Sequence, residues 1–345
     1  MADKITMAVS WAAACGGCDV SLLDIEHHLL ELAELADIVY WPVAMDFKRA
    51  ELEARPDGSI DIGIFNGAIR TSEQLADAEL FRKKCKLLVA YGACASFGGI
   101  PGLGNLVGLQ RIVDEAYAET PSTDNPDGVR PVERWPLAGD ADGPTLRLPS
   151  MLDAVHSLPQ AVDVDVIMPG CPPPMERVLD LVAVAKRYAE SGELPPEGAV
   201  LASDKALCDQ CPRNEGRAGG RLAQVVRPHE ALADRDRCFL DQGMLCLGIS
   251  TRGGCGATCI TANMPCRGCF GPTDAMLDPG AEALSAIGSI AGPPTENFVQ
   301  AHEMKKAIRA IRDPAGTFYR FTLPSSFIHR FTPDEPRAEA PKAKE

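Results

Sequence analysis

Trp11-Ala12-Ala13-Ala14-Cys15-Gly16-Gly17-Cys18-Asp19 joins an apolar run, Ile5 to Trp11, to a stretch of helical spacing that begins at Asp19. A short apolar run, a glycine-softened turn and then a helix make the opening unit of an α/β sheet. Here the turn carries two thiols spaced C-x2-C. Two thiolates so placed grip one metal centre but leave its coordination incomplete, so other parts of the chain must supply the remainder. Outward from this stretch the same alternation recurs. Leu22, Leu23, Ile25, Leu29, Leu30, Leu32 and Leu35 give one helix, and Ile38–Trp41, Ile60–Asn66, Leu87–Tyr91 and Val162–Met168 read as strands. Ser72–Lys84, opened by Thr71 or Ser72, and about Met175–Glu190 read as further helices. The expected fold is therefore α/β, with a doubly wound parallel sheet.

In such a sheet the carboxyl ends of the strands share one edge, where ligands bind. Cys15 and Cys18, Cys94 in Gly92-Ala93-Cys94, and Cys171 in Pro169-Gly170-Cys171-Pro172-Pro173-Pro174 each follow a strand directly. Cysteines far apart in the chain are thus expected to meet. Glycine beside each of them (Gly16, Gly17, Gly92, Gly170) lets backbone amides approach and hydrogen-bond sulfur. If Cys94 and Cys171 were only small core residues, the first pair would have no partners.

The chain has 345 residues, 46% of them hydrophobic and 13 of them cysteine, with a net charge of −14. That length favours two domains over one. The negative charge argues against nucleic acid and anionic membrane surfaces. No apolar run approaches the ~20 residues that span a bilayer, and Met1-Ala2-Asp3-Lys4-Ile5 carries no signal or twin-arginine pattern. A cytoplasmic protein is expected. Disulfides are disfavoured there, so metal binding leads among the explanations for the cysteines. Twelve of them form three sets of four; Cys85, before a strand, reads as a partly buried free thiol.

Residues 100–160 interrupt the alternation with a Gly- and Pro-rich stretch too long for an ordinary connection, and are read as an insertion. Gly192 to Gly198 reads as a linker, which divides the chain into a first domain over 1–195 and a second over 196–330. Eight cysteines follow the linker in glycine-rich sequence with little helical periodicity, as expected of a segment organised by metal. Their spacing points to Cys208, Cys211, Cys238 and Cys246 as one nest and Cys255, Cys259, Cys266 and Cys269 as another, although neighbouring clusters often share ligands across a run. Four-cysteine sites with C-x2-C pairs also bind structural zinc. Three such sites in one acidic chain, one of them on a ligand-binding edge, suit an iron–sulfur electron relay better. Ala281–Ala291 and Glu296–Arg312 read as helices, Phe318–Leu323 as a possible strand, and 331–345 as a disordered tail. The six histidines show no mutual ligand spacing and are assigned surface or packing roles.

Trp11-x3-Cys15-Gly-Gly-Cys18, Gly92-Ala-Cys94-x3-Gly98-Gly99, Pro169-Gly-Cys171-Pro-Pro and the later cysteine array occur in the order found in one family. Over residues 4 to about 275 the chain resembles the small, electron-transferring subunit of [NiFe] hydrogenases, most nearly the cytoplasmic F420-non-reducing or methyl-viologen-reducing kind, its gamma chain. The resemblance implies a flavodoxin-like first domain whose Cys15, Cys18, Cys94 and Cys171 hold a proximal [4Fe–4S] cluster. That cluster would face a separate large subunit carrying the Ni–Fe centre. The second, irregular domain would be ferredoxin-like, with a distal cluster on Cys208, Cys211, Cys238 and Cys246 and a medial cluster on Cys255, Cys259, Cys266 and Cys269. Three [4Fe–4S] clusters would then relay electrons to a small [2Fe–2S] subunit and on to heterodisulfide reductase.

Departures from the wider family bear on chemistry. Cys208 stands where periplasmic relatives have histidine, and Cys259 adds a thiolate that favours four irons in the medial centre. Ala14 and Gly16 replace flanking acidic and threonine residues, so no proton-transfer role is read there. The same subunit type wiring a formate dehydrogenase to heterodisulfide reductase, a flavodoxin-like FMN carrier and a zinc-stapled scaffold are the competing expectations. The turn Ala12–Gly17 lacks the Ser/Thr-rich phosphate loop that FMN would need.

Overall fold

A computed structural model describes residues 4–137, 144–219, 222, 224–291, 305–306 and 309–328. Strand β1 (Ile5–Trp11) runs through the centre of the molecule, with burial of every residue from Met7 to Ser10. It is followed by α1 (Gly17–Leu23), α2 (His28–Leu35), β2 (Ala36–Tyr40), α3 (Arg49–Ala54), β3 (Ile60–Asn66) and β4 (Ile69–Thr71). Helix α4 (Ser72–Lys84) leads into β5 (Cys85–Tyr91) and α5 (Gly92–Phe97). Thr71 caps α4, its hydroxyl accepting from the Gln74 N–H while the Gln74 side chain returns to the Thr71 backbone. Lys83 and Lys84 close the same helix at its negative end.

Residues 100–160 contribute α6 (Leu109–Asp114), the hairpin strands β6 (Arg134–Pro136) and β7 (Thr145–Arg147), and β8 (Met151–His156). β8 pairs antiparallel with β4, and Asn105 ties the preceding loop to it by two bonds to Val155, at 2.9 and 2.7 Å. β9 (Val166–Met168), α7 (Met175–Ser191) and β10 (Ala199–Val200) complete the sheet. The short α8 (Thr258–Thr261) and then α9 (Pro279–Ile290), capped by Asp278, lie in the cysteine-rich half.

The six-stranded sheet has the order β10-β9-β5-β3-β1-β2, parallel throughout. With the main strands counted in chain order this is 2-1-3-4-5-6, the doubly wound order in which the chain reverses direction beside β1. One core packs β1, β3 and β5 beneath α1 and α7 through Ile5, Met7, Val9, Ile62, Ile64, Leu87, Val89, Leu181 and Val182. The other face is closed by α4 through Phe65, Phe81, Leu88 and Ala78. Burial on both faces explains why these strands read as continuous apolar runs.

Several expectations change. The single helix from Asp19 to Leu35 is two, because Glu26 takes φ 54° and Ile25 turns wholly into the core between them. The fifth strand is confined to Val166–Met168. Ala199–Val200, just past the expected linker, pairs with Val166–Ile167. Phe318–Leu323 is no strand: Pro314–Phe318 is a helix capped by Asp313, and Pro324 sits in a following 3₁₀ turn. The helix expected over Ala281–Ala291 is α9, begun two residues earlier at Pro279. Most of Glu296–Arg312 and all of the tail lie outside the described residues. Among the described residues no helix is long and apolar enough to cross a membrane.

Candidate metal centres

The carboxyl edge of the sheet carries the first group of thiols. Cys15 and Cys18 sit in the β1–α1 turn, Cys94 in α5, and Cys171 after β9. The turns are laced together by backbone bonds: Ala93 N–H donates to Gly170 O at 2.6 Å and Ala12 N–H to Asn66 O at 2.8 Å. Cys18 lies close enough to Cys94, Cys171 and Cys15 for each to oppose its ionisation, although burial is the largest cause of its raised pKa. Cys94 is pushed up to about 11, by burial first and then by Cys171, with a hydrogen bond from the Ile100 N–H working the other way. Four thiols placed so that each opposes the ionisation of the others suit a cationic centre, which would favour all four thiolates.

Glycine is required where sulfur meets backbone. At Gly92, φ is +83° and a Cβ would lie 2.4 Å from Cys18 Sγ; at Gly99, φ is +56° and a Cβ would lie 2.4 Å from Cys94 Sγ. Beneath the turn is a buried polar network. Trp41 Nε1 donates to Asp19 Oδ1 at 2.9 Å and Asn66 Nδ2 to Asp19 Oδ2 at 2.5 Å, while Ser21 Oγ and Tyr91 Oη are 2.7 Å apart. Among the described residues Asn66 Oδ1 has no hydrogen-bond partner. Sequence patterning does not single out Asp19 or Asn66 for this role. The one signal available is a polar residue, Asn66, directly after the apolar run Ile62–Phe65.

A second group gathers Cys208, Cys211, Cys238 and Cys246. Burial, then Cys246, Cys211 and Cys238, push Cys208 up to about 12. Gly248 lies between the thiols here, its Cβ position 3.5 Å from Cys208 Sγ and 3.8 Å from Cys246 Sγ. Cys246 is buried, and its sulfur accepts from the Cys266 N–H at 3.3 Å.

The third group is Cys255, Cys259 and Cys269, with Cys266 between it and the second. Cys269 is raised to about 12 by burial, then by Cys255, Cys171 and Cys259, and accepts a hydrogen bond from the Cys171 N–H. Cys266 is raised well above the ordinary thiol range by burial and then by Cys246, ahead of Cys269. A cavity of about 610 Å³ is lined by Cys171, Cys255, Cys259, Cys266 and Cys269 with Phe270, Pro172 and Phe321. The three groups therefore form a file: Cys171 touches the third group, and Cys266 touches the second.

Among the described residues the metal-ligating side chains with atoms all within 4.8 Å of one another are His27, His28 and Glu31. The histidine group is a further difference from the sequence expectation: the rings of His27 and His28 are 4.1 Å apart, and His28 Nδ1 lies 2.9 Å from Glu31 Oε1. Glu31 is shared with Lys186 at 2.6 Å. Cys85 is buried in the core beside Gly63, remote from the three groups.

Comparison with known proteins places these features in a family. The family described as NADH ubiquinone oxidoreductase, 20 Kd subunit matches residues 15–185. The iron-sulfur subunit of the F420-non-reducing hydrogenase of Archaeoglobus profundus is 36% identical over 94% of this chain and 98% of its own. The corresponding subunit of the F420-non-reducing hydrogenase of Methanothermobacter marburgensis is 35% identical over 95% of this chain and 97% of its own. A solved NAD+-reducing [NiFe]-hydrogenase in the H2-reduced state is similar at 29% identity over 53% of this chain and 90% of that one, with a TM-score of 0.44. With two curated relatives matched along almost their whole length, this chain belongs to the family of F420-non-reducing hydrogenase iron-sulfur subunits, which are parts of oxidoreductases.

Proposed function

We propose that this chain is the electron-conducting subunit of a [NiFe] hydrogenase and holds three [4Fe–4S] clusters. Cys15, Cys18, Cys94 and Cys171 hold the proximal one. Cys255, Cys259, Cys266 and Cys269 hold the medial one, and Cys208, Cys211, Cys238 and Cys246 the distal one. The observation that carries this reading is the file of thiols, in which Cys171 borders the third group and Cys266 the second. Membership of a hydrogenase subunit family supports it. The irregular segment after about residue 196 is read as the ferredoxin-like domain of the pair, separate from the sheet domain over 1–195.

When bound, each cluster supplies a one-electron store. The residues of this chain fix where those stores lie and at what potential. Thiolates carry the irons, and the amides of Ile100, Gly248, Cys266 and Cys171 donate to the sulfurs of Cys94, Cys246, Cys246 and Cys269, which favours the reduced, more negative centre. Phe270 and Phe321, both buried, give the cavity in the middle of the file an apolar wall. A large subunit with the Ni–Fe centre would meet the proximal edge, where Trp11, Val20 and Ile100 are exposed. Electrons would leave from the distal end to a small [2Fe–2S] subunit and heterodisulfide reductase, in the cytoplasm.

Iron analysis of anaerobically purified protein tests this. About twelve irons per chain are expected, four for each four-thiolate nest, with iron–sulfur signals in electron paramagnetic resonance after reduction. Zinc in their place, or a colourless protein, would overturn it.

A further inference from the structure

In a chain of net charge −14, one cleft is basic. It has a volume of about 410 Å³ and is walled by Arg227, Arg267, Arg312 and Arg320 together with His229. Among the described residues none of these four arginines forms an ion pair with a carboxylate. Asp313 also lines the cleft, but its Oδ1 accepts from the Gly316 N–H at 2.8 Å as a helix cap. Arg320 Nε donates to Gly316 O at 2.9 Å, which anchors that guanidinium without neutralising it. Glu230 reaches the Arg227 backbone N–H at 2.8 Å and does not line the cleft. Arg267 and Arg320 also line the cysteine cavity, so the cleft is the outer side of the wall whose inner side faces the medial nest. Met264, 44% exposed, adds an apolar rim.

Guanidiniums crowded together with no carboxylate partner among the described residues repel one another. That arrangement is stable in use when a negative surface settles on it, and arginine forks suit carboxylates. We propose that this cleft is the docking site for an acidic redox partner protein, whose carboxylates pair with Arg227, Arg267, Arg312 and Arg320. The partner's own centre is thereby brought beside Arg267, which lies next to Cys246 of the distal nest as well as to Cys266. The proposal rests on the electron-carrying reading for its purpose, but its test does not require that reading to hold.

The probe is an acidic [2Fe–2S] ferredoxin, titrated by calorimetry against the purified full-length chain, with basic cytochrome c as the contrary control and iron measured on the same sample. Binding of the ferredoxin should weaken about tenfold or more between 50 and 500 mM salt, as exposed charge pairs are screened. The exposed rim variant Arg227→Gln/Arg312→Gln, which leaves the cysteine cavity untouched, should weaken it about tenfold at low salt and flatten the salt dependence. Arg267→Gln/Arg320→Gln should do the same with iron content retained. Ferredoxin binding unchanged in both variants, or cytochrome c binding in its place, would overturn the docking site. Tight binding of inorganic phosphate at the cleft with no ferredoxin bound would likewise overturn it, marking a small-anion site. Absence of iron with ferredoxin binding intact would instead sink the electron-carrying reading alone.

Discussion

Replacing Gly92 with alanine separates backbone strain from damage to the proximal nest. Two costs are built into the position. Its φ of +83° is left-handed backbone, worth roughly 1–2 kcal/mol for a residue with a Cβ. The added Cβ would also lie 2.4 Å from Cys18 Sγ and 3.5 Å from Gly170 O. Either the sulfur turns away or the β5–α5 turn retreats, and an overpacked contact of this kind typically adds about 1–3 kcal/mol. A total of about 2–5 kcal/mol follows for Gly92→Ala. Gly58 is the control, since its φ is +64° with nothing within 4 Å of its Cβ position. Gly58→Ala should therefore cost the backbone part alone, about 1–2 kcal/mol. Denaturant unfolding measures both variants and iron analysis accompanies each. Gly92→Ala should lose about a third of the iron, one nest in three, while Gly58→Ala keeps all of it. If the two variants lost equal stability and both retained full iron, the claim that Cys18 Sγ is held against the Gly92 backbone for cluster assembly would be wrong.

Cys94→Ala should likewise remove one cluster's iron and stop electron flow from the large subunit, with the other two clusters persisting; iron content and reduced-state spin signals report this. Cys85→Ala should leave iron content and activity unchanged, because that sulfur is buried against Gly63, away from every other thiol. Asp61 predicts the acid limb of stability. Burial opposes its ionisation, but bonds from Lys86 at 2.7 Å, Thr6 at 2.8 and 2.9 Å and Tyr188 at 3.0 Å outweigh that and hold its carboxyl below the usual range. Its stabilisation is complete above the unfolded carboxylate pKa of ~3.9 and is lost as pH falls through the lower folded value. Asp61→Asn should therefore lower stability at pH 7 and flatten its fall in acid, as followed by urea unfolding across pH. Asp19→Ala would leave the Trp41 and Asn66 donors buried without an acceptor, at roughly 1–3 kcal/mol for each, measurable as a lower denaturation midpoint.

The sheet and the meeting of Cys15, Cys18, Cys94 and Cys171 were legible because both follow from one rule: strands of a parallel sheet end together. Apolar runs such as Ile60–Asn66 mark the strands, and the cysteines stand immediately after them. Periodicity failed where tertiary packing overrode it. Nothing in the regular leucine spacing from Leu22 to Leu35 shows that Ile25 would be driven fully inward and the helix broken at Glu26. The β4–β8 pair escapes sequence patterning because three residues at Ile69–Thr71 carry no alternation to read. The place of Cys266 was out of reach for another reason. Its chain neighbours put it with Cys269, and only the folded loop shows that its backbone N–H also reaches the Cys246 sulfur. Likewise His28 and Glu31 meet one helical turn apart at the start of α2, with His27 at its N-cap, a spacing seen only when carboxylates are counted with the histidines.

The residue Cys171 offers its sulfur to one nest and its amide hydrogen to a sulfur of the next. A single peptide unit is thus common property of the two halves of the chain. A fragment ending at the Gly192–Gly198 stretch would keep every proximal thiol yet lose the acceptor of that amide. A graft of the cysteine-rich half onto another sheet would lose its donor. The junction behaves less like a hinge between modules than like a shared wall, and any change to one room is felt in the other.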